Sequence, residues 1–143
     1  FLADKPHCGA VASFTGTVRD ILGAKASLNT LTLEHYPGMT ERELERTAQD
    51  ACTRFDLHSA HIVHRFGMMR VGEPIVMVLA ASAHRHAAIH AVDFMMDFLK
   101  SRAPFWKKES LTTQNGQSNT ATGWVDARSS DETALARWHK QDD

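Results

Sequence analysis

Four cations, two adjacent aromatic residues and a proline lie together in the stretch LKSRAPFWKKE, residues 99–109. The formal net charge of the 143-residue chain is only -1, so this positive charge is local and favours a small anion site. Lys107 and Lys108 are consecutive, and consecutive side chains of a strand point to opposite faces. One of the two is therefore expected to turn inward, beside or opposite Phe105. There it needs an anionic partner and could serve as a proton donor or nucleophile.

A second anion-binding pattern is SAHRH, residues 82–86, where a predicted buried strand gives way to a predicted helix. The first turn of a helix leaves N–H groups unpaired and carries partial positive charge. His84 and Arg85 add side-chain donors at the same place. The alternative, which the pattern leaves open, is that Ser82 is only the helix cap and Arg85 a solvated charge.

Two further cations carry alternatives of their own. Lys100 is expected at the C-terminus of a helix, where the helix dipole alone favours a cation. Arg19 ends the first predicted strand, and it joins a cluster only if the fold brings it near.

The nine histidines raise the question of a metal site. His86 and His90 are four residues apart and would share one face of a helix, but no third ligand accompanies them. An exposed polar stripe is the preferred interpretation, and no metal is expected.

The periodicity of apolar residues predicts the elements that must position these side chains. Alternation indicates strands, and apolar residues at steps of three and four indicate helices. In chain order we expect a strand over 9–19, a strand over 28–36 paired antiparallel with it, a helix begun by a Thr40/Glu43 capping box, a strand over 58–66, a turn bracketed by Gly67 and Gly72, a strand from Pro74, an amphipathic helix over 84–102 and a strand that holds Lys107 and Lys108. The polar stretch 111–123 is predicted to be a mobile loop, followed by a strand over 124–128 and a short helix over 130–139. This order indicates one α+β domain over residues 1–143.

Composition excludes several classes of protein. The chain has the size of one domain, and its longest apolar run, around residues 75–83, is far too short to cross a bilayer. The near-neutral charge argues against a general nucleic-acid binder. Cys8 and Cys52 lack the spacing of a zinc ribbon or a disulfide framework, so a reducing cytoplasm fits best. Because the chain starts at Phe1 without an initiator methionine, an N-terminal segment is expected to be missing or processed away.

Four segments, in one order from about residue 9 to residue 128, carry a resemblance to a known family. They are GAVASFTGTVRD, LTLEHYPGMTERELE, VHRFGMMRVGEPIVMVLAASAHRHAAIHAVDFMMDFLKSRAPFWKKE and WVDAR. Together they resemble the MoaE family, the large catalytic subunits of molybdopterin synthase.

The resemblance implies an α/β hammerhead-type fold with a mixed or antiparallel sheet and two main amphipathic helices. It also implies a homodimer at the centre of a heterotetramer, with a small ubiquitin-like sulfur-carrier subunit (MoaD-like) at each end. The carrier's C-terminal Gly-Gly tail, as a thiocarboxylate, would deliver sulfur to cyclic pyranopterin monophosphate. Two transfers would build the dithiolene of molybdopterin, without a metal or bound cofactor.

Six side chains match the family's functional positions. The resemblance implies that two are catalytic, Lys100 and Lys107, and that four bind anionic substrate, Arg19, His84, Arg85 and Arg128. A rival hypothesis from another class is a non-catalytic binding module for a ubiquitin-like carrier tail, and a weaker one is a histidine-based metal protein. The paired anion sites favour the enzyme, because a tail-binding module has no need of a second pocket.

Overall fold

A computed structural model describes residues 1, 4–20, 26–113, 118–119 and 136–138. Within these ranges the strands are β1 (Ala10–Thr17), β2 (Ala26–His35), β3 (Ser59–His64), β4 (Gly67–Arg70), β5 (Pro74–Ser82), β6 (Phe105–Thr113) and β7 (Ser118–Asn119). The helices are α1 (Met39–Phe55) and α2 (Arg85–Arg102). The α+β class is confirmed. No helix in the described ranges is both long and apolar enough to span a membrane.

The strands form two antiparallel sheets. One sheet has three strands in the order β1-β5-β3, and the other has four in the order β4-β2-β6-β7. The predicted pairing of the first two strands is therefore wrong, because β1 pairs with β5 and β2 pairs with β4 and β6. Val18 explains the divergence: it is 3% exposed in the core of the four-stranded sheet, so the chain leaves the first sheet there.

The first helix begins two residues earlier than predicted. Gly38 occupies the cap position at φ 79°, and its N–H donates to Glu41 Oε2 at 2.6 Å. The expected capping box of Thr40 and Glu43 is wrong because Thr40 already lies inside the helix. Thr40 is 2% exposed, and its hydroxyl donates to the carbonyl of Pro104 at 3.3 Å. The start of α1 is thereby tied to the turn that follows α2.

The second helix covers one face of the three-stranded sheet. Its apolar side chains, among them Met95 and Phe98, pack with Val76, Val78 and Ala80 of β5 in the larger of two cores. The predicted end near Arg102 is confirmed. Ala103, at β-region dihedrals, is the C-cap, as the following proline requires.

The later part of the chain corrects two predictions. Residues 67–70 form β4 rather than part of a turn, and the turn is confined to the residues around Gly72, which has φ 88°. The mobile-loop prediction for 111–123 is wrong for residues 111–113 and 118–119, which pair as strands. Residues 114–117 and 120–123, the predicted strand at 124–128 and most of the predicted last helix lie outside the described residues. Residues 136–138 form a helical turn.

Candidate active site

Lys107 lies on the inner face of the four-stranded sheet, as alternation in β6 predicts. It is opposite Leu33, which is 7% exposed, in the register with β2. Its Nζ lies 2.5 Å from Oε1 of Glu109, two residues further along the same face. Lys108 is exposed on the other face. The expectation of one inward lysine with an anionic partner is confirmed, and Glu109 is that partner within the chain.

A histidine and a phenylalanine hold the start of the strand that carries Lys107. Phe105 stacks on His64, with ring centroids 3.9 Å apart and planes 20° apart. Nδ1 of His64 lies 2.9 Å from the carbonyl oxygen of Arg65. Burial lowers the pKa of His64, so the neutral ring is favoured. Because the stack joins β3 to β6, it fixes the position of β6 relative to the other sheet.

Lys100 lies on α2, just before the short turn that joins α2 to β6. It is exposed in the last turn of α2, which ends at Arg102. Only two residues separate α2 from β6. Within this turn the N–H of Phe105 donates to the carbonyl of Ala103 at 2.8 Å. Lys100 makes no ion pair with any other described residue and is available to an external anion.

Arg19 is held near this end of the three-stranded sheet. It is exposed and follows Val18, whose N–H donates to the carbonyl of Glu73 at 2.8 Å. The carbonyl of Val18 accepts a hydrogen bond from the N–H of Gly72, also at 2.8 Å. These two bonds fix the chain where β1 ends and β5 begins.

His84 and Arg85 mark the other end of the same sheet. His84 occupies the cap position of α2, with no side-chain hydrogen bond to the first turn, and both residues are exposed. Ser82 is therefore not the helix cap, and its hydroxyl instead accepts a hydrogen bond from the N–H of His84 at 3.4 Å. The first-turn N–H groups and the Arg85 guanidinium are open to an anion, which favours the anion-site interpretation.

The two groups of cations are far apart within one chain. The nine residues of β5 span about 27 Å, and α2 runs back along the sheet over a similar length. Arg19, Lys100 and Lys107 therefore lie toward one end of the three-stranded sheet. His84 and Arg85 lie at the opposite end, so the five residues do not form a single pocket in one protomer.

The remaining predicted site residue, Arg128, lies outside the described residues. Among those that are described, no group of three or more His, Cys, Asp or Glu side chains is arranged to hold a metal ion. The rings of His86 and His90 lie on the exposed side of α2 with their centroids 6.3 Å apart.

The sequence interpretation missed two features of the site, the role of Glu109 and the stack of His64 on Phe105. The position of Glu109 could have been predicted, because residues two apart on a strand share a face. The His64–Phe105 stack could not have been predicted, because it joins two strands whose relative position is set only by the tertiary structure.

By fold and site, the chain is a small α+β domain with two separate cationic regions, one of which holds a half-buried lysine in an ion pair. Comparison with known proteins identifies one family within this class. The family model described as MoaE protein matches residues 1–102. A molybdopterin synthase catalytic subunit from Mesorhizobium japonicum is 52% identical over 130 residues, which cover 91% of this chain and 77% of that one.

Solved structures agree with this comparison. Molybdopterin cofactor biosynthesis protein E from Burkholderia multivorans has a TM-score of 0.76 and 48% identity, covering 96% of this chain and 84% of that one. A protein-protein complex of subunits 1 and 2 of molybdopterin-converting factor from Helicobacter pylori shows the same fold, with a TM-score of 0.63, 19% identity and coverage of 80% and 73%. This chain belongs to the MoaE family, and it is an enzyme subunit of molybdopterin biosynthesis.

Proposed function

We propose that this chain is the sulfurtransferase subunit that converts cyclic pyranopterin monophosphate to molybdopterin. The sulfur donor is the thiocarboxylated C-terminus of a small ubiquitin-like carrier subunit. The observation that carries this proposal is the Lys107–Glu109 pair on the inner face of β6, with Lys100 across a two-residue turn. This arrangement offers fixed cations to an incoming carboxy-terminal tail.

Electrostatics explains why such a site needs several cations. A thiocarboxylate and a pterin phosphate are both anions, and their repulsion weakens binding unless fixed positive charges offset it. Lys100 and Lys107 supply those charges and can also transfer protons as the cyclic phosphate opens and the carrier is released. Glu109 keeps the Lys107 ammonium in place over Leu33 until the substrate arrives.

The separation of the cations supports a homodimer. In an isologous dimer that packs the open faces of the two three-stranded sheets together, with the two-fold axis perpendicular to the strands, the strands of the partner run in the reverse direction. In such a dimer the His84–Arg85 end of one protomer lies over the Arg19–Lys100 end of the other. Two composite sites result, each with the cations for two anions.

The open face of that sheet is suited to this contact. Opposite the side covered by α2 it carries Val11, Val63 and Met77, which are 47%, 51% and 39% exposed. Apolar side chains at this level of exposure on adjacent strands favour burial against a second sheet. The heterotetramer follows if one carrier binds at each composite site.

One assay tests the function. The purified chain is mixed with thiocarboxylated carrier and cyclic pyranopterin monophosphate, and the dithiolene product is measured after oxidation to a fluorescent pterin derivative. We expect product to form with the thiocarboxylate and not with the plain carboxylate form of the carrier. Tight carrier binding without product in a folded protein would instead favour the non-catalytic binding module.

A further inference from the structure

Glu73 lies in the turn between β4 and β5, and both oxygens of its carboxylate are engaged. Oε2 accepts a hydrogen bond from the N–H of Arg70 at 2.5 Å, and Oε1 lies 3.6 Å from Nη2 of Arg65. The N–H of Glu73 also donates to the carbonyl of Arg70 at 3.1 Å. The hydrogen bond from Arg70 is the main cause of a lowered pKa of Glu73, so the carboxylate is ionised at neutral pH. This side chain therefore holds the turn closed.

The same turn holds Val18, the residue before Arg19, from both sides. The carbonyl of Glu73 accepts a hydrogen bond from the N–H of Val18, and the N–H of Gly72 donates to the carbonyl of Val18, both at 2.8 Å. Gly72 makes its bond at φ 88°, a conformation that residues with a Cβ rarely adopt. Because β1 has already ended at Thr17, these two bonds fix the backbone immediately before Arg19.

Arg65 joins this turn to the strand that carries Lys107. Its guanidinium faces Glu73 and also donates to the first carbonyl of β5 at 3.0 Å. Its own carbonyl oxygen lies 2.9 Å from Nδ1 of His64, whose ring stacks on the first residue of β6. The pair of Arg65 and Glu73 therefore lies between the backbone that precedes Arg19 and the strand of Lys107.

We propose that Glu73 is a positioning residue for Arg19, an inference that rests on the proposed function. Arg19 is exposed and presents its guanidinium to an anion from just beyond the end of a strand. A long side chain on a loose backbone loses binding energy to ordering, and a fixed backbone reduces that cost. Glu73 holds the turn closed, and the closed turn holds Val18. Without the Glu73 carboxylate, Arg19 is present but misplaced.

A double-mutant cycle tests whether Glu73 acts through Arg19. Single-turnover rates at subsaturating cyclic pyranopterin monophosphate, which stay measurable in slow variants, are compared for Glu73→Ala, Arg19→Ala and the double variant. We expect Glu73→Ala alone to lower the rate by about 10–100-fold, because a displacement of about 1 Å in a site costs up to about 10²-fold. In the Arg19→Ala background it should change the rate by about twofold or less, since the group that it positions is already gone. A general structural role would lower both rates by the same factor.

Two further variants separate the turn from the charge. Gly72→Ala keeps the Glu73 carboxylate, and its new Cβ meets no atom within 4 Å, so its effect comes from the φ that alanine disfavours. We expect it to lower the rate as Glu73→Ala does. Glu45→Ala is the matched control, because it removes the same charge from an exposed position of α1. It should react at the wild-type rate.

Amide hydrogen exchange followed by NMR reports on the backbone before Arg19 without the reaction. We expect Glu73→Ala to speed exchange at Val18 and Gly72, whose N–H groups make the two bonds, and to leave the interior of β5 as protected as in the wild type. Glu73→Gln replaces Glu73→Ala if the latter fails to fold. Glutamine keeps an oxygen for the N–H of the turn but loses the negative charge, so it should give a smaller loss in the same direction.

The outcomes separate this proposal from the function on which it rests. If the wild type forms product and Glu73→Ala reacts at the wild-type rate, or loses the same factor in both backgrounds, the positioning proposal is wrong and the function stands. Unchanged exchange at Val18 in Glu73→Ala also contradicts it. If the wild type forms no product, the proposed function is wrong, and faster exchange at Val18 would then show that Glu73 still holds the backbone before Arg19.

Discussion

At the scale of single residues, Lys107 is the side chain whose position argues most directly for chemistry. We predict that Lys107→Ala lowers turnover by about 10²–10⁴-fold, the range expected when a proton-transfer group is lost. Single-turnover assays with thiocarboxylated carrier check this, since they report the chemical step apart from carrier binding.

Lys108→Ala is the natural control for that prediction. It removes the same charge from the next residue, but on the exposed face of β6. Turnover should stay close to that of the wild type. Equal losses in the two variants would show that general positive charge, rather than the placement of Lys107, supports the reaction.

His64 gives a prediction for pH. Burial lowers the pKa of His64 in the folded protein below that of the unfolded chain, so the unfolded state binds the proton more readily. Its contribution to stability is therefore complete above the unfolded pKa, about 6.5, and is lost as pH falls below it toward the folded value. His64→Phe keeps a ring on Phe105 and removes the titration. Urea unfolding from pH 7.5 to 5 should show a smaller loss of stability in His64→Phe than in the wild type.

If both proteins lose stability equally over that range, burial does not hold His64 neutral.

The inward direction of Lys107 could be predicted from alternation alone, because a strand fixes which residues share a face. The stack that positions its strand could not, because no local pattern links residue 64 to residue 105.

At the scale of elements, a clasp joins the C-terminal part of the chain to both helices. Asp97 of α2 accepts hydrogen bonds from Nε of Arg137 at 3.0 Å and from Nε1 of Trp138 at 2.8 Å. The ring of Trp138, 7% exposed, packs edge-to-face on Phe55 of α1 and Phe94 of α2. These contacts hold α1 and α2 together, and α2 is the helix that carries Lys100.

We predict that Trp138→Ala lowers the free energy of unfolding by about 3–5 kcal/mol, the usual cost of removing a large buried aromatic ring. Denaturant unfolding followed by circular dichroism checks this value. Ile89→Ala, at an exposed position on α2, should change the free energy of unfolding by about 0.5 kcal/mol or less. A small effect of Trp138→Ala would mean that the clasp is not part of the cooperative core.

The elements themselves were largely predictable, and their pairing was not. The apolar spacing of α1 and α2 and the continuous apolar run of β5 are local signals. The pairing of β1 with β5, whose partner residues are 57 to 72 positions apart in the chain, depends on where Val18 is buried. The short strand β4 was missed because its four residues, Gly67–Arg70, are too few to show a clear alternation.

At the scale of the whole molecule, the two groups of predicted site residues come close to each other only if two chains contribute to one site. The family resemblance assigns Lys100 to catalysis and Arg85 to anion binding in one reaction, yet α2 separates the two residues by about four turns of helix. Within one protomer an anion bound at Arg85 would be too far from Lys100 to react there. A dimer in which the strands of the partner's three-stranded sheet run in the reverse direction removes this conflict.

Mixed dimers test this arrangement. Lys100→Ala and Arg85→Ala are each expected to be nearly inactive, because each damages both composite sites of its own homodimer. A mixed dimer has one site with both substitutions and one site with neither. With random assortment half of the dimers are mixed, so coexpression should restore about a quarter of wild-type activity. Native mass spectrometry establishes the fraction of mixed dimers. If mixed dimers form and activity does not recover, each site lies within a single chain, and the long separation along α2 must be bridged by a substrate rather than by a partner.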